Sequence, residues 1–298
     1  LKEGDFFMAE IKKIGFIGTG IMGAAMVEHF LDANFQVSVY NRTKSKAEKL
    51  IERGAIWCET AGLCAKNQDV VMTMVGYPKD VEQIYFADDG ILNSASAGTF
   101  LVDMTTSSHE LAEKIFAAAQ EKNLHALDAP VTGGDIGAKN ATLTILVGGA
   151  EIDFEILKPV FEVVGKKIIY LGAAGAGQKT KACNQIAVAG ALAGACEALA
   201  YAKIFNLDVE KVFDAISSGA AGSFQMSSVV KKGLDGDFSP GFMLKHLAKD
   251  LSIAANSLNQ NNENLQILDE ILSELKSMEN GGHGAEGTQA LLKFYHVV

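Results

Sequence analysis

Apolar positions change their period once along the chain. Up to about residue 170, short apolar runs at 13–17, 36–40, 70–74, 99–103 and 125–128 alternate with stretches of helical spacing such as 45–53 and 109–122. That alternation predicts a parallel, doubly wound sheet with helices packed on it. Two further strand-like runs, 143–148 and 167–171, flank a helical segment at 153–164 and extend the sheet. After the glycine- and alanine-rich stretch 172–177 no period-2 run is found, only helical periodicity broken by Gly, Asn and Pro240.

The first helical segment beyond that stretch, 178–205, predicts a single helix of ~42 Å at 1.5 Å per residue. Ala187, Ala189, Gly190, Ala191, Ala193, Gly194, Ala195, Ala198 and Ala200 leave it narrow enough for close approach by other helices. So long an apolar helix predicts cover by a second subunit, as a homodimer or homotetramer. Its most apolar part, 186–200, is interrupted by Glu197 and falls short of the ~20 residues of a membrane span, so a buried helix rather than a membrane anchor is expected.

Residues 14–43 carry the sharpest local signal. The strand ending Ile14-Gly15-Phe16-Ile17 runs into Gly18-Thr19-Gly20-Ile21-Met22-Gly23, then a helical stretch, then Val37-Ser38-Val39-Tyr40. A glycine loop alone is weak evidence, because a structural turn needs the same residues. Between a strand and a helix, inside a unit of about thirty residues, it predicts a dinucleotide site. Gly18 permits the turn, Gly20 admits a pyrophosphate, Gly23 lets the helix pack, and the helix N-terminus offers free N–H groups. The fold class is therefore α/β. A Rossmann doubly wound parallel sheet is expected over 9–173, and an all-α domain built on the long interdomain helix over 174–298.

The second strand ends in Asn41-Arg42-Thr43, with Lys44 and Lys46 close behind. A carboxylate there would bind the ribose 2′-hydroxyl of NAD, whereas a guanidinium pairs with the 2′-phosphate of NADP. NADP(H) is therefore expected over NAD(H), unless Arg42 is an ordinary solvated charge. The formal net charge of −10 argues against nucleic acid as a partner and means that local basic groups must draw in an anionic cofactor. Cys58, Cys64, Cys183 and Cys196 form neither CxxC pairs nor a dense framework, which predicts reduced, buried thiols in a cytoplasmic protein. No metal site is expected from the cysteine and histidine spacing. The first seven residues are too charged for a signal peptide, and Met8 reads as a natural start.

Four further stretches carry candidate chemistry. Asp103-Met104-Thr105-Thr106-Ser107 follows a strand, where open α/β sheets bind ligands, although a helix cap would use the same hydroxyls. Thr132, Gly133 and Gly134 also follow a strand; they form either an anion nest suited to a carboxylate or a plain turn. Gly175-Ala176-Gly177-Gln178 opens the long helix, on which Lys181 and Asn184 share a face at i,i+3 while Lys179 points elsewhere. A lysine beside an amide in a cleft suits proton transfer to a substrate oxygen, though alone it would read as a surface charge. The stretch from Pro240 to Leu251 places Lys245 and Lys249 at i,i+4, which by itself reads as a solvated helix face.

Taken in order, these stretches resemble the β-hydroxyacid dehydrogenase family, which includes 3-hydroxyisobutyrate dehydrogenase, tartronate semialdehyde reductase and the glyoxylate/succinic semialdehyde reductases. The resemblance covers nearly the whole chain from Lys12 onward. It rests on Gly-Phe-Ile-Gly-x-Gly-Ile-Met-Gly at 15–23, Asp-Ala-Pro-Val-x-Gly-Gly at 128–134, Gly-x-Gly-Gln-x-x-Lys-x-x-Asn at 175–184 and Lys-Asp-Leu at 249–251. It implies an NADP(H)-dependent oxidoreductase acting on a small carboxylate substrate, with Lys181 as general acid/base assisted by Asn184. It implies that Thr132, Gly133 and Gly134 grip the carboxylate, that Thr106 touches cofactor and substrate, and that Phe242 and Asp250 line the substrate region. Cofactor contacts are implied for Gly18, Thr19, Gly20, Ile21, Met22, Gly23, Asn41, Arg42, Thr43, Val75, Thr106 and Lys249. Thr132 departs from the serine usual in the family, and its extra methyl narrows the pocket. A related imine reductase usually lacks the lysine, a sugar-acid-phosphate dehydrogenase would be longer and more basic, and a non-catalytic dinucleotide sensor would have no need of the Lys181–Asn184 pair.

Overall fold

A computed structural model of the chain describes residues 11–298, so Met8 and the first two residues of the expected sheet domain lie outside the described residues. Compactness divides the chain into a unit ending at Lys181 and a unit from Ala182 to Val298.

The first unit holds one sheet of nine strands: β1 (Lys13–Ile17), β2 (Gln36–Tyr40), β3 (Ile56–Trp57), β4 (Val70–Thr73), β5 (Phe100–Asp103), β6 (His125–Asp128), β7 (Val131–Thr132), β8 (Leu143–Gly149) and β9 (Gly165–Tyr170). Its helices are α1 (Ile21–Asp32), α2 (Glu48–Glu52), α3 (Ala61–Ala65), α4 (Pro78–Phe86), α5 (Ile91–Ser94), α6 (His109–Glu121), α7 (Gly134–Lys139) and α8 (Glu151–Phe161). The strand order is β3-β2-β1-β4-β5-β6-β8-β7, with β9 paired to β8. Successive strand residues point to opposite faces, and each face has its own core. Ile14, Phe16, Met72, Val102 and Leu127 pack with Met26 and Phe30 of α1 and Phe154 and Leu157 of α8. Ile17, Val71, Leu101 and Ala126 pack with Val81 and Tyr85 of α4 and Leu111 and Ile115 of α6. Both faces are covered, which is the doubly wound architecture expected from the sequence.

The sheet is not parallel throughout. β1 to β6 pair in parallel, but β8 runs antiparallel to β6 and β7, while β9 is again parallel to β8. Connection length explains the switch: the six-residue α7 only turns the chain back, whereas the eleven-residue α8 provides the crossover that a parallel pair needs. β3 and β7 are two residues each, too short to show a period, and were not visible in the pattern.

α9 spans Ala176–Ile204, close to the expected 178–205. The compact division falls inside it, eight residues past the 173/174 boundary read from the sequence, and hydrogen bonds explain why. The Asp128 carboxylate at the end of β6 accepts from Gly175 N (2.8 Å) and Gln178 N (2.8 Å). The Gln178 side chain accepts from Ser107 N (2.9 Å) and donates to Thr105 O (2.7 Å). A Cβ on Gly177 would lie 2.4 Å from Leu146 O, so glycine is needed for this approach.

The second unit continues with α10 (Val209–Ser217), α11 (Lys231–Leu234), α12 (Leu244–Gln260), α13 (Gln266–Met278) and α14 (Leu291–Phe294). Among the described residues its only extended pairing is an isolated bridge between Met243 and Gly287. Leu192, Cys196 and Leu199 of α9 are buried among Leu247 and Leu251 of α12 and Leu272 and Leu275 of α13. By length and composition α9 is apolar enough to cross a membrane, with a mean hydropathy of 1.3 over its best window, yet half of that window is buried by the chain itself. That is how a core helix behaves. All four cysteines are free, but only Cys64 and Cys196 are buried; Cys183 is exposed, because it lies on the side of α9 turned away from this core, and Cys58 is half-buried.

Replacing Asp128 with Ala would leave two buried N–H groups without an acceptor, each costing about 1–3 kcal/mol. The Asp128→Ala variant is expected to unfold at a clearly lower urea concentration than the native protein. An unchanged midpoint would show that the carboxylate does not hold the start of α9.

Candidate active site

The carboxyl ends of β1, β2, β4, β5 and β6 are tied to one another by short polar contacts. At β1, Gly18 adopts φ +103°, and a Cβ there would sit 2.2 Å from Met74 O; one on Gly23 would sit 1.9 Å from Gly18 O. Gly20 is different, since a Cβ on it would meet nothing within 4 Å. Two glycines are thus fixed by packing and the middle one borders open space. α1 starts immediately after, with Gly20 as its N-cap and no side chain capping the first N–H groups. Ile21 is exposed and Met22 half-buried. Thr19 is 2% exposed; its N–H donates to Asn41 Oδ1 (3.2 Å), while its hydroxyl has no partner.

Asn41 turns the end of β2 by donating to Thr43 O (2.9 Å), which sends Arg42 and Thr43 into solvent. The Arg42 guanidinium pairs with Asp80 at 3.0 Å. At the next strand ends, Val75 N donates to Thr105 Oγ1 (3.0 Å), and Asp103 accepts from Thr73 Oγ1 (2.8 Å) and Thr105 N (3.0 Å). Burial is the main cause that pushes the Asp103 carboxyl up to about 6, against the pull of these donors. Thr106 is half-buried, and the cap on α6 is Ser108, whose hydroxyl accepts from Leu111 N (3.2 Å). The Ser107 hydroxyl is buried without a partner.

After β7 the backbone turns left-handed twice, at Gly133 (φ +126°) and Gly134 (φ +63°), where a residue with a side chain would be strained. Both glycines are exposed beside the half-buried Thr132. On α9 the two lysines separate as expected. Lys179 is exposed and pairs with Glu113 at 2.9 Å, whereas Lys181 is 7% exposed.

The second unit builds its own polar chain. Asn184 Nδ2 donates to Gln185 Oε1 (2.7 Å), Gln185 Nε2 donates to Asp250 Oδ2 (2.7 Å), and Lys249 Nζ lies 3.0 Å from Asp250 Oδ1. Asp250 is 4% exposed and the Lys249 side chain 11%, so this stretch of α12 is not the solvated face that its charges alone suggest. Phe242 is half-buried and stacks on His246, with ring centroids 6.4 Å apart. The first unit thus holds the glycine loop, Asn41, Arg42, Thr43, Val75, Thr106, Thr132, Gly133, Gly134 and Lys181, and the second holds Asn184, Phe242, Lys249 and Asp250. Sequence reasoning gave no role to Asp80, Gln178 or Gln185, because each is defined by a partner far away in the chain.

Comparison with known proteins decides the family. Residues 13–172 match the model of the NAD binding domain of 6-phosphogluconate dehydrogenase, and residues 175–295 match the model described as NAD-binding of NADP-dependent 3-hydroxyisobutyrate dehydrogenase. The chain belongs to the β-hydroxyacid dehydrogenase family. An uncharacterized oxidoreductase of Bacillus subtilis is 47% identical over 95% of this chain and 99% of its own length. A probable mitochondrial 3-hydroxyisobutyrate dehydrogenase-like protein of Arabidopsis thaliana is 44% identical over 97% of this chain and 87% of its own. Among solved structures, the 3-hydroxyisobutyrate dehydrogenase of Mycobacterium tuberculosis with L-serine superposes at a TM-score of 0.87, with 28% identity, over 95% of this chain and 98% of that one.

This family member is an NAD(P)-dependent oxidoreductase with a Rossmann fold. The residues of the first unit fit a dinucleotide. The open space at Gly20, the uncapped start of α1 and the partnerless hydroxyl of Thr19 are what a pyrophosphate would fill. The glycines then predict opposite phenotypes. Gly23→Ala should destabilise the fold by about 1–3 kcal/mol or more, because its methyl meets backbone. Gly20→Ala should lower the thermal midpoint far less than Gly23→Ala, by no more than a helix-cap change, and weaken cofactor binding in a fluorescence titration. Equal loss of stability in both variants would contradict the division of roles.

Proposed function

We propose that this dehydrogenase interconverts a small β-hydroxyacid and its aldehyde-acid or keto-acid partner with NADP(H), using Lys181 as the general acid/base. The observation that carries the reading is the burial of Lys181 on α9, two residues from a lysine that is exposed and ion-paired. Flexible lysines normally keep the ammonium in water, so burial marks a specific use. The nicotinamide, when bound, supplies or accepts the hydride at the carbon that carries the oxygen. In the reductive direction Lys181 gives its proton to the oxygen on which charge develops, and in the oxidative direction it takes the proton back. A fixed ammonium away from bulk water stabilises that charge far better than a solvated one.

Asn184, on the same helix face, assists Lys181, and its amide is oriented by the Gln185–Asp250–Lys249 chain. Thr132 with the N–H groups of Gly133 and Gly134 takes the carboxylate, and the threonine methyl favours the smaller acids. Thr106, Phe242 and Asp250 complete the substrate contacts; Val75, Thr106 and Lys249 join residues 18–23 on the cofactor. NADP(H) is preferred because the end of β2 offers Arg42 and no carboxylate, and because the match over 175–295 is to an NADP-dependent dehydrogenase. Four free cysteines support a reducing compartment such as the cytoplasm.

The protein assembles through its helical unit as a dimer or tetramer. Supporting this, Tyr201, Ile204, Phe205, Leu207 and Phe224 are all more than half exposed, and a Cβ at Gly190 or Gly194 meets nothing within 4 Å. Light scattering at micromolar concentration should give at least twice the 31.6 kDa chain mass, and a monomer would refute it.

Lys181→Met is expected to slow single-turnover hydride transfer by ~10²–10⁴-fold, the usual contribution of positioned acid–base catalysis. Lys179→Met should change little. Comparable losses in the two variants, or normal turnover in both, would remove Lys181 from the mechanism.

A further inference from the structure

We propose that Asp80 is the positioning residue that holds the Arg42 guanidinium ready for the 2′-phosphate, and so sets the preference for NADP(H). The inference rests on the reading of Arg42 given above and goes beyond it by naming a residue on another strand's loop. β2 and β4 flank β1, and the glycine loop leaves the carboxyl end of β1. Arg42 follows β2, and Asp80 stands in the first turn of α4, after β4. Their 3.0 Å ion pair therefore crosses the strand end where the dinucleotide loop begins.

The two partners are unequal. The Asp80 side chain is 9% exposed and that of Arg42 is 76% exposed. The second oxygen of Asp80 accepts from Tyr77 N (3.1 Å), so the carboxylate also caps α4 and is fixed before it meets the arginine. The positive end of α4 further favours its charge. An exposed arginine on a mobile side chain loses much conformational freedom on binding a ligand; one already tied to a rigid carboxylate loses less. Asp80 engages one guanidinium nitrogen, and the fork carries five N–H donors, which leaves an edge for a phosphate. Of the neighbouring basic side chains, Lys44 is turned to the Trp57 ring and Glu59, and Lys79 to the Tyr77 ring.

Asp80 carries negative charge toward an anionic ligand, so holding the arginine and repelling the phosphate oppose one another. Its charge is already offset by Arg42, by the Tyr77 N–H and by the helix end, so positioning is the larger effect.

The test is a set of NADPH and NADH titrations on the full-length protein and its Asp80→Asn, Asp80→Glu, Arg42→Ala and doubly substituted Arg42→Ala/Asp80→Asn variants. Asparagine keeps the shape and, through its amide oxygen, the acceptor for Tyr77 N–H, and it puts an NH2 group where the oxygen that accepts from Arg42 stood, so the charge and the guanidinium's acceptor are both removed. Asp80→Asn should weaken NADPH roughly three- to tenfold, as expected when a released guanidinium must be ordered anew on binding, and leave NADH unchanged. Asp80→Glu should recover part of the loss, and in the Arg42→Ala background Asp80→Asn should have no further effect. Unchanged or tighter NADPH binding by Asp80→Asn would overturn the proposal. An equal loss for both cofactors, or a loss that persists without Arg42, would also overturn it by making Asp80 a merely structural residue. If Arg42→Ala leaves the NADPH/NADH ratio intact, the 2′-phosphate reading of Arg42 itself fails.

Discussion

The Asp128 carboxylate decides where α9 begins. It accepts N–H groups from Gly175 and Gln178 at 2.8 Å each, across 47 and 50 residues of chain. Burial raises its pKa, and those donors, with the N–H of Gly177, pull it back down. With Gln178 also bound to Ser107 and Thr105, the first turn of α9 is locked onto the ends of β5 and β6. A helix fixed at its first turn has its later residues fixed as well, because 3.6 residues per turn leaves no freedom of register. Lys181 lies one turn beyond Gln178, so its place along the helix follows from this lock.

Electrostatics act locally in a chain whose net charge is −10. On the dinucleotide side the structure offers uncapped backbone N–H groups at the start of α1 and, in the reading proposed above, one guanidinium. The helical unit pairs Lys249 with Asp250 and passes the constraint through Gln185 to Asn184, so each charge there has a partner and each amide a fixed orientation. Networks of this kind hold side chains in one geometry. Buried glutamines tie distant segments together in both units, Gln178 in the first and Gln185 in the second.

Much of this was legible in the sequence because it is local. β1 and β2 lie at the positions that the apolar runs predict, the glycine loop has the packing its spacing requires, and Lys181 and Lys179 fall on different sides of α9. What was not legible depends on distant partners. The antiparallel turn at β8 depends on which neighbour the chain meets after Pro130, and two-residue strands carry no period. Asp80 in a helix first turn reads as a routine capping residue, and nothing local shows Arg42, 38 residues earlier, coming back to it. Buried glutamines give no pattern at all; Gln178 and Gln185 become informative only when their partners, 71 and 65 residues away, are known.

We propose that the Asp128 lock delivers the Lys181 ammonium to the reacting oxygen of the substrate. The direct measurement is a crystal structure of the protein with NADP+ and a small β-hydroxyacid, read for the distance from Lys181 Nζ to the hydroxyl oxygen. The account predicts hydrogen-bond contact, about 2.6–3.2 Å, with the Gly175 and Gln178 contacts to Asp128 intact. A hydroxyl bonded to a different side chain, with Lys181 beyond reach of it, would contradict the account.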